Sequence, residues 1–412
     1  MRIARFSAGA ASAIAWCAAA ALSFFVGLCV HARAASLSDG PAVEDQMIPK
    51  IDAIFAPLSD AGSPGAAVLV RRGGRSVFEH GYGVRDLNSR AAIDPETNFR
   101  LASCTKQFTA MAIMLLVHDR KLKYEESLAE IFPEFPAYGA TITIRSLLHH
   151  TSGLPDYETL MEQEEKSGGR KWTEDNQIHD ADVLALLEKE HMTSFPPGTK
   201  WAYSNSGYVV LGLVVAKVSG KSFGEFLHER IFAPLKMDQT IAYERGKNNV
   251  ANRAFGHSRD GGAWKQTDQS STSATLGDGG VYSSVRDLAK WDDALAKHTL
   301  LSEMETRAAL TPAVLMGGAK PVWPADQDRT AGTPVAYGFG WFLDPYRGHP
   351  RMWHYGDTMG FHTYIERFGA SASETGRPDQ SAMSIVVLCN RTDLDPEALA
   401  AKIADLYFAK PQ

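Results

Sequence analysis

Over residues 43–58 the apolar side chains recur at intervals of three and four. Met47, Ile48, Ile51, Ile54 and Phe55 fall on one face, which predicts an amphipathic helix. The pattern then breaks into short apolar runs at 65–72 and 75–79, joined by Gly73-Gly74, which predicts a β-hairpin. From about residue 103 the helical period takes over. Helices are expected at 103–119, 142–149, 181–190, 205–218 and 223–230, and Ser284 is placed to cap another that runs to about Ala296. Residues 162–175 are polar and without period, so they predict a surface excursion. Near the C-terminus strands are expected at 337–343, 360–367 and 383–390. The last of these is apolar throughout and so should be buried on both faces. Residues 396–408 close the chain as a helix, and no repeat of 20–50 residues is visible. Strands at both ends with helices between them predict an α+β fold. One sheet would be built from both termini (about 44–102 and 335–412), beside a mostly helical lobe (about 103–334).

The first residues change the picture of what folds. Met1-Arg2-Ile3-Ala4-Arg5 is a basic start, an apolar run follows to Val30, and Ala32-Arg33-Ala34 is a small-residue cleavage site. Residues 1–34 are therefore expected to be a signal peptide, leaving 35–412 as one exported domain, periplasmic or secreted. The apolar run is also long enough to span a bilayer as an anchor. The cleavage site favours removal, and no stable membrane anchor is expected afterwards. Leu28 before Cys29 suits a lipoprotein signal poorly.

Composition adds little beyond exclusions. Hydrophobic residues make up 44% and charged residues 22%, with a formal net charge of -6. That is ordinary globular composition with no basic stripe for nucleic acid. Cys104 and Cys389 remain after cleavage. Each lies in an apolar run, so two buried free thiols are expected rather than a disulfide.

The candidate chemistry centres on Ser103-Cys104-Thr105-Lys106. In the first turn of a helix, positions i and i+3 share a face, so the Lys106 amine would lie beside the Ser103 hydroxyl. A serine is a weak nucleophile until a neighbouring base takes its proton. Burial can hold a lysine neutral enough to do so. Ser103 is the only serine with lysine three residues on, and the helix that follows it is too apolar for a surface helix.

Tyr203-Ser204-Asn205 and His354-Tyr355-Gly356 follow in that order, each the only Tyr-x-Asn or His-x-Gly in the chain. With Ser-x-x-Lys they resemble the three active-site elements of the serine β-lactamase and penicillin-binding protein superfamily. The likeness is to its class C β-lactamase, D-alanyl-D-alanine carboxypeptidase and esterase branch. The flanks of Ser103, the stretch 147–155, Pro197-Gly198, Gly277-Asp278-Gly279-Gly280-Val281 and Leu388-Cys389-Asn390-Arg391 fit the same pattern, so the resemblance runs from about 44 to 408. It implies a β-lactamase-like fold with an antiparallel sheet, and a serine hydrolase that works through an acyl-enzyme without a cofactor. It further implies that Ser103 is acylated, that Lys106 and Tyr203 share the proton transfers with either as formal base, and that Asn205 contacts a substrate amide. The backbone N–H groups of Ser103 and Asp357, the latter just after Gly356, would form the oxyanion hole.

One departure narrows the expectation. His354 stands where many β-lactamases carry a lysine, and histidine is mostly neutral at pH 7. Hydrolysis of an ester or peptide is therefore favoured over efficient β-lactam hydrolysis. Small-molecule or peptide substrates are expected, peptidoglycan-derived ones among them. The alternative is a binding or sensing protein on the same fold that is acylated without turnover.

Competing local readings are blander. Tyr203 would serve equally as a core tyrosine, Asn205 as a helix cap and His354 as a satisfied half-buried histidine. His149-His150 invites a metal, but adjacent helical residues do not face one point. Asp278 and Arg391 read as structural. Gly220-Lys221-Ser222-Phe223-Gly224 matches the nucleophile elbow of α/β-hydrolases, which needs a preceding strand. An apolar helix precedes it here, so Gly220 reads as a C-cap and Ser222 as an N-cap.

Overall fold

The computed structural model describes residues 41–324, 332–369 and 382–408. The expected signal peptide lies outside them. Pro41–Gln412 forms one compact unit.

The main sheet has six strands, all antiparallel: Arg75–Tyr82, Ala66–Arg72, Met383–Cys389, Phe361–Phe368, His349–Thr358 and Phe342–Tyr346, in that spatial order. Both ends of the chain build it, as expected, and Met383–Cys389 sits between the N-terminal hairpin and Phe361–Phe368. Every residue of that strand is buried. Alternation explains why. Val68, Val70, Ile385 and Val387 pack under the terminal helices Pro41–Phe55 and Pro396–Phe408. Ala67, Leu69, Val386 and Leu388 face the helical lobe. Within the first helix Ile51 and Phe55 are fully buried, whereas Ile48 is largely exposed.

In the helical lobe, Lys106–His118 is buried along nearly its whole length and packs against Asn205–Ser219. A small sheet of Phe99–Arg100, Val281–Ser283 and Ile241–Ala242 leads the chain into the first of these helices. Ser284 caps Val285–Ala296 by accepting from Asp287 N.

Three expectations need correction. The polar stretch at 162–175 begins inside a helix, Tyr157–Lys166, capped by Asp156 and anchored by Tyr157, Leu160 and Met161. Only its outer turn and the loop beyond fit an excursion. The strand expected at 337–343 is instead a turn followed by Phe342–Tyr346. Gly340 is the reason: it adopts φ +75, and a Cβ there would come within 2.8 Å of the Gln107 Cα. The aromatic-glycine spacing thus records a close approach of two chain segments rather than a pleat. Finally, the stretch between the strands expected at 337–343 and 360–367 forms a ten-residue strand of its own, His349–Thr358, which carries His354.

Candidate active site

Ser103 sits in a 3-10 turn, Ala102–Thr105, that runs directly into the Lys106–His118 helix. The residue before it, Ala102, is held at φ +47. That left-handed conformation is costly for a residue with a Cβ and survives only where its surroundings impose it. Here Leu101 N donates to Val281 O and Cys104 N to Leu101 O, pinning the turn on both sides. Ala102 and Cys104 are buried while Ser103 is only half-buried, so the turn presents its hydroxyl to the cleft.

Lys106 is 0% exposed. Its Nζ lies 3.0 Å from Ser103 Oγ, 2.9 Å from Asn205 Oδ1 and 3.0 Å from the Asp278 carbonyl oxygen. The last two are carbonyl oxygens and can only accept. A neutral amine has two hydrogens and one lone pair. If both hydrogens go to those carbonyls, the lone pair is left for the one partner able to donate, the Ser103 hydroxyl. Burial lowers the Lys106 pKa to about 8, against the pull of Asp278, Cys104 and Glu158 toward the charged form. A useful fraction of neutral amine is therefore present near pH 7–8.

Tyr203 closes the other side. Its ring centroid is 4.8 Å from Lys106 Nζ and 4.4 Å from the His150 ring. Its hydroxyl is buried without a hydrogen-bond partner among the described residues, yet close enough to Ser103 for the serine to favour its ionised form. Burial nonetheless drives the phenol pKa well above its ordinary value, so the group is a proton donor at rest. The position is fixed by the next residue: Ser204 caps the Asn205–Ser219 helix through Gly207 N, and its own N–H donates to His150 Nδ1 at 3.1 Å. Asn205 begins that helix and spans Lys106 and Glu158 Oε1, the latter at 3.5 Å.

The third motif arrives on the edge of the sheet. At Gly356 a Cβ would lie 2.1 Å from Leu101 O, so only glycine lets this strand close on the turn that carries Ser103. Thr363 on the neighbouring strand reinforces the contact by donating to Leu101 O at 2.9 Å. Asp357 follows, with its carboxylate turned outward to His362 Nε2 at 3.0 Å. The Phe342–Tyr346 strand pairs with this one only as far as Trp353.

His354, which stands where a lysine of the resembled family would meet substrate, does not line the cleft. It is 0% exposed, enclosed among Tyr203, Tyr337 and Phe342. Its Nδ1 lies 2.6 Å from the Tyr355 carbonyl oxygen and must carry the hydrogen, which leaves Nε2 to accept from Tyr337 Oη at 3.0 Å. Burial and the nearby Lys106 charge lower its pKa to about 3, so the ring is neutral at working pH. The alternation of the strand explains the enclosure: His354 and Gly356 share the face toward Ser103, where the packing is tightest.

Ser103, Lys106, Tyr203 and Asn205 thus meet around one amine. Gly356 and the Asp357 backbone flank the serine turn, and His354 stands behind. The sequence did not point to Tyr337, whose aromatic-rich context resembles a strand. Nor did it point to the Asp278 carbonyl, an acceptor that any residue supplies, or to Glu158 beside Asn205. His149 and His150 have separate duties, on the Tyr337 carbonyl oxygen and on Ser204 N respectively. Gly220 ends its helix at φ +73 and Ser222 caps the next, so the elbow reading fails.

Comparison with known proteins bears on the family and the fold. The Beta-lactamase family model matches residues 51–410. Penicillin-binding protein 4* of Bacillus subtilis is 30% identical over 332 residues, covering 77% of this chain and 68% of that protein. An octameric penicillin-binding protein homologue from Pyrococcus abyssi superposes with a TM-score of 0.69 at 25% identity, covering 88% of this chain and 77% of the other. A penicillin-binding protein from Bacillus halodurans does so at 0.68 and 26%, covering 86% and 98%. The chain belongs to the β-lactamase family, within the serine hydrolase superfamily that includes the penicillin-binding proteins.

Proposed function

We propose that the protein is an exported hydrolase that cleaves neutral esters or peptide-like amides through an acyl-enzyme on Ser103. The observation that carries this reading is the Lys106 amine, 3.0 Å from Ser103 Oγ with its other two contacts on carbonyl oxygens. The serine proton passes to Lys106 as Oγ bonds to the substrate carbonyl carbon. The oxyanion that forms is received by the N–H groups of Ser103 and Asp357. Collapse expels the alcohol or amine, which takes a proton through Tyr203, re-supplied from Lys106. Water then attacks the ester carbon, gives a proton back along the same path, and releases Ser103 and the acid.

Charge argues for the substrate class. A carboxypeptidase or β-lactamase must receive a carboxylate. His354 stands where a lysine would do this, and it is buried and neutral. Asp278 and Glu158 add negative charge near Lys106. Neutral esters and amides suit this field, and β-lactams should acylate slowly. The relatives named as penicillin-binding proteins support acylation by that class.

The test is the mass of the Ser103-containing peptide after incubation with a p-nitrophenyl ester, a D-alanyl-D-alanine peptide and benzylpenicillin. Transient acylation with ester turnover is expected, and a slower adduct with penicillin. A stable ester adduct without turnover would instead indicate a sensor, and no adduct on Ser103 with any of the three would refute the reading.

A further inference from the structure

Behind the nucleophile helix lies a cavity of about 520 Å³, separate from the cleft that holds Ser103. Its size is that of a small-molecule site. The walls are apolar: Met111 and Met114 of the nucleophile helix, Leu295 of Val285–Ala296, and Phe339 and Trp341 of the glycine-bearing turn. Leu310, 39% exposed, stands at its mouth.

Two wall residues are out of keeping: His298, whose Nδ1 lies 3.2 Å from Thr306 Oγ1 while its Nε2 is buried with no partner among the described residues, and Gln107. Gln107 follows Lys106 in sequence and is only 2% exposed. Its Oε1 accepts from the Trp291 indole N–H, and an indole nitrogen can only donate. The amide orientation is therefore fixed, and Nε2 is a buried donor with no partner among the described residues. A buried donor left unmade is destabilising, so a ligand that supplies an acceptor is favoured there. The cationic residues of the wall offer no free charge. Arg351 is paired with Asp344 and Glu366, and Arg367 with Asp292. The stretches 325–331 and 370–381 of this chain are polar and do not match the walls.

We propose that this cavity is a second ligand site, for an uncharged amphiphile with an aliphatic body and one carbonyl head that accepts from Gln107 Nε2. The aliphatic part lies on Met111, Met114 and Leu295, between Trp291 and Trp341. The site stands apart from the acylation chemistry, so it holds whether or not Ser103 turns over an ester.

Decanamide is the probe, since an amide head accepts a hydrogen bond and carries no charge. Trp291 and Trp341 line the cavity, so tryptophan fluorescence reports occupancy. Saturable change is expected in the unmodified protein and equally in Ser103→Ala. Gln107→Leu should weaken decanamide about 3–10-fold, the worth of one hydrogen bond, and leave decane-like probes unchanged. Leu310→Trp fills the mouth from an exposed position and should abolish binding with the fold intact by circular dichroism. Decanoate should bind more weakly than decanamide. No saturable change in the unmodified protein, or binding untouched by both substitutions, overturns the site. Tighter binding of decanoate overturns the uncharged head. A change of oligomeric state in Leu310→Trp, with no probe bound by the unmodified protein, would show a contact between copies instead.

Discussion

Two serines in this chain each begin a helix beside a lysine, and they do different work. Ser222 is exposed. Its hydroxyl caps the Phe223–Leu227 helix and Glu225 reaches back to its N–H, so its whole role is local. Lys221 next to it makes a surface pair with Glu229. Ser103 caps nothing. It follows a left-handed alanine, and its lysine is drawn fully inside to meet groups some hundred and more residues away in sequence. Local sequence makes a serine a helix start in both places. Only the tertiary surroundings set the two apart, by desolvating the amine beside Ser103 and occupying all but one of its bonding directions.

The largest effect should separate the two directly. Ser103→Ala is expected to lower kcat by about 10³-fold or more and to abolish labelling by a serine-directed phosphonate. Stability should change little, because the hydroxyl faces a cleft. Ser222→Ala should keep full labelling. Labelling that follows Ser222 rather than Ser103 would reverse the assignment.

Next in size is the lysine. Lys106→Arg should lose about 10²–10³-fold in kcat/KM, since a guanidinium stays protonated and cannot accept the serine proton. The matching change, Lys221→Arg, should leave activity untouched and stability within about 0.5 kcal/mol, as for other exposed ion pairs. An active Lys106→Arg enzyme would remove Lys106 from proton transfer and leave that role to Tyr203 alone.

How far the sequence reached follows from the same contrast. The sheet from both termini, the doubly buried strand at Met383–Cys389 and the caps at Ser222 and Ser284 were legible, because each is set by period or by residues within one turn. The three short motifs were legible as a resemblance and in the right order. The enclosure of His354 was not, because it depends on Tyr337 and Phe342 folding over it. The turn around Gly340 was lost for a similar reason. A glycine required by the approach of Gln107 looks, in one dimension, like a glycine between strand aromatics. Gln107 itself gave no signal, since an unpartnered buried amide is a property of packing.

A pH profile sharpens the comparison by about 50-fold in kcat/KM between pH 6 and 8. The useful form of Lys106 is neutral and its pKa is about 8. Below that value kcat/KM should rise about tenfold per pH unit and then level. The same shift bears on stability. The unfolded lysine binds its proton up to its ordinary pKa of 10.5, the folded one only to about 8, so between these the unfolded state holds more protons and stability rises with pH. At the acid end His149 and His354, with pKa values of about 4 and about 3, stay neutral in the fold while the unfolded chain protonates below 6.5. Stability contributed by these two is lost as pH falls through that window. Tm against pH should show both limbs. A kcat/KM profile flat from pH 6 to 9 would mean that no buried amine limits acylation.

The smallest effect tests the other serine on its own terms. If Ser222 only caps a helix, Ser222→Ala removes the acceptor for Glu225 N and the partner of the Glu225 carboxylate. A cap of this kind is worth typically about 1 kcal/mol. In a domain of this size that is a fall in Tm of roughly 1–2 °C. Ser222→Asp keeps an acceptor at the cap but sets a second carboxylate beside Glu225, so it should recover only part of the loss. Ser222→Gly should lose only a few tenths. The ester kcat/KM should be the same in all three variants, since Phe223–Leu227 contributes nothing to the contacts around Lys106. A stability series in that order with constant activity would show a serine whose meaning is exhausted by its own turn of helix. A drop in kcat/KM without a drop in Tm would show that this turn is coupled to the cleft, and the separation of the two serines into local and tertiary roles would have to be given up.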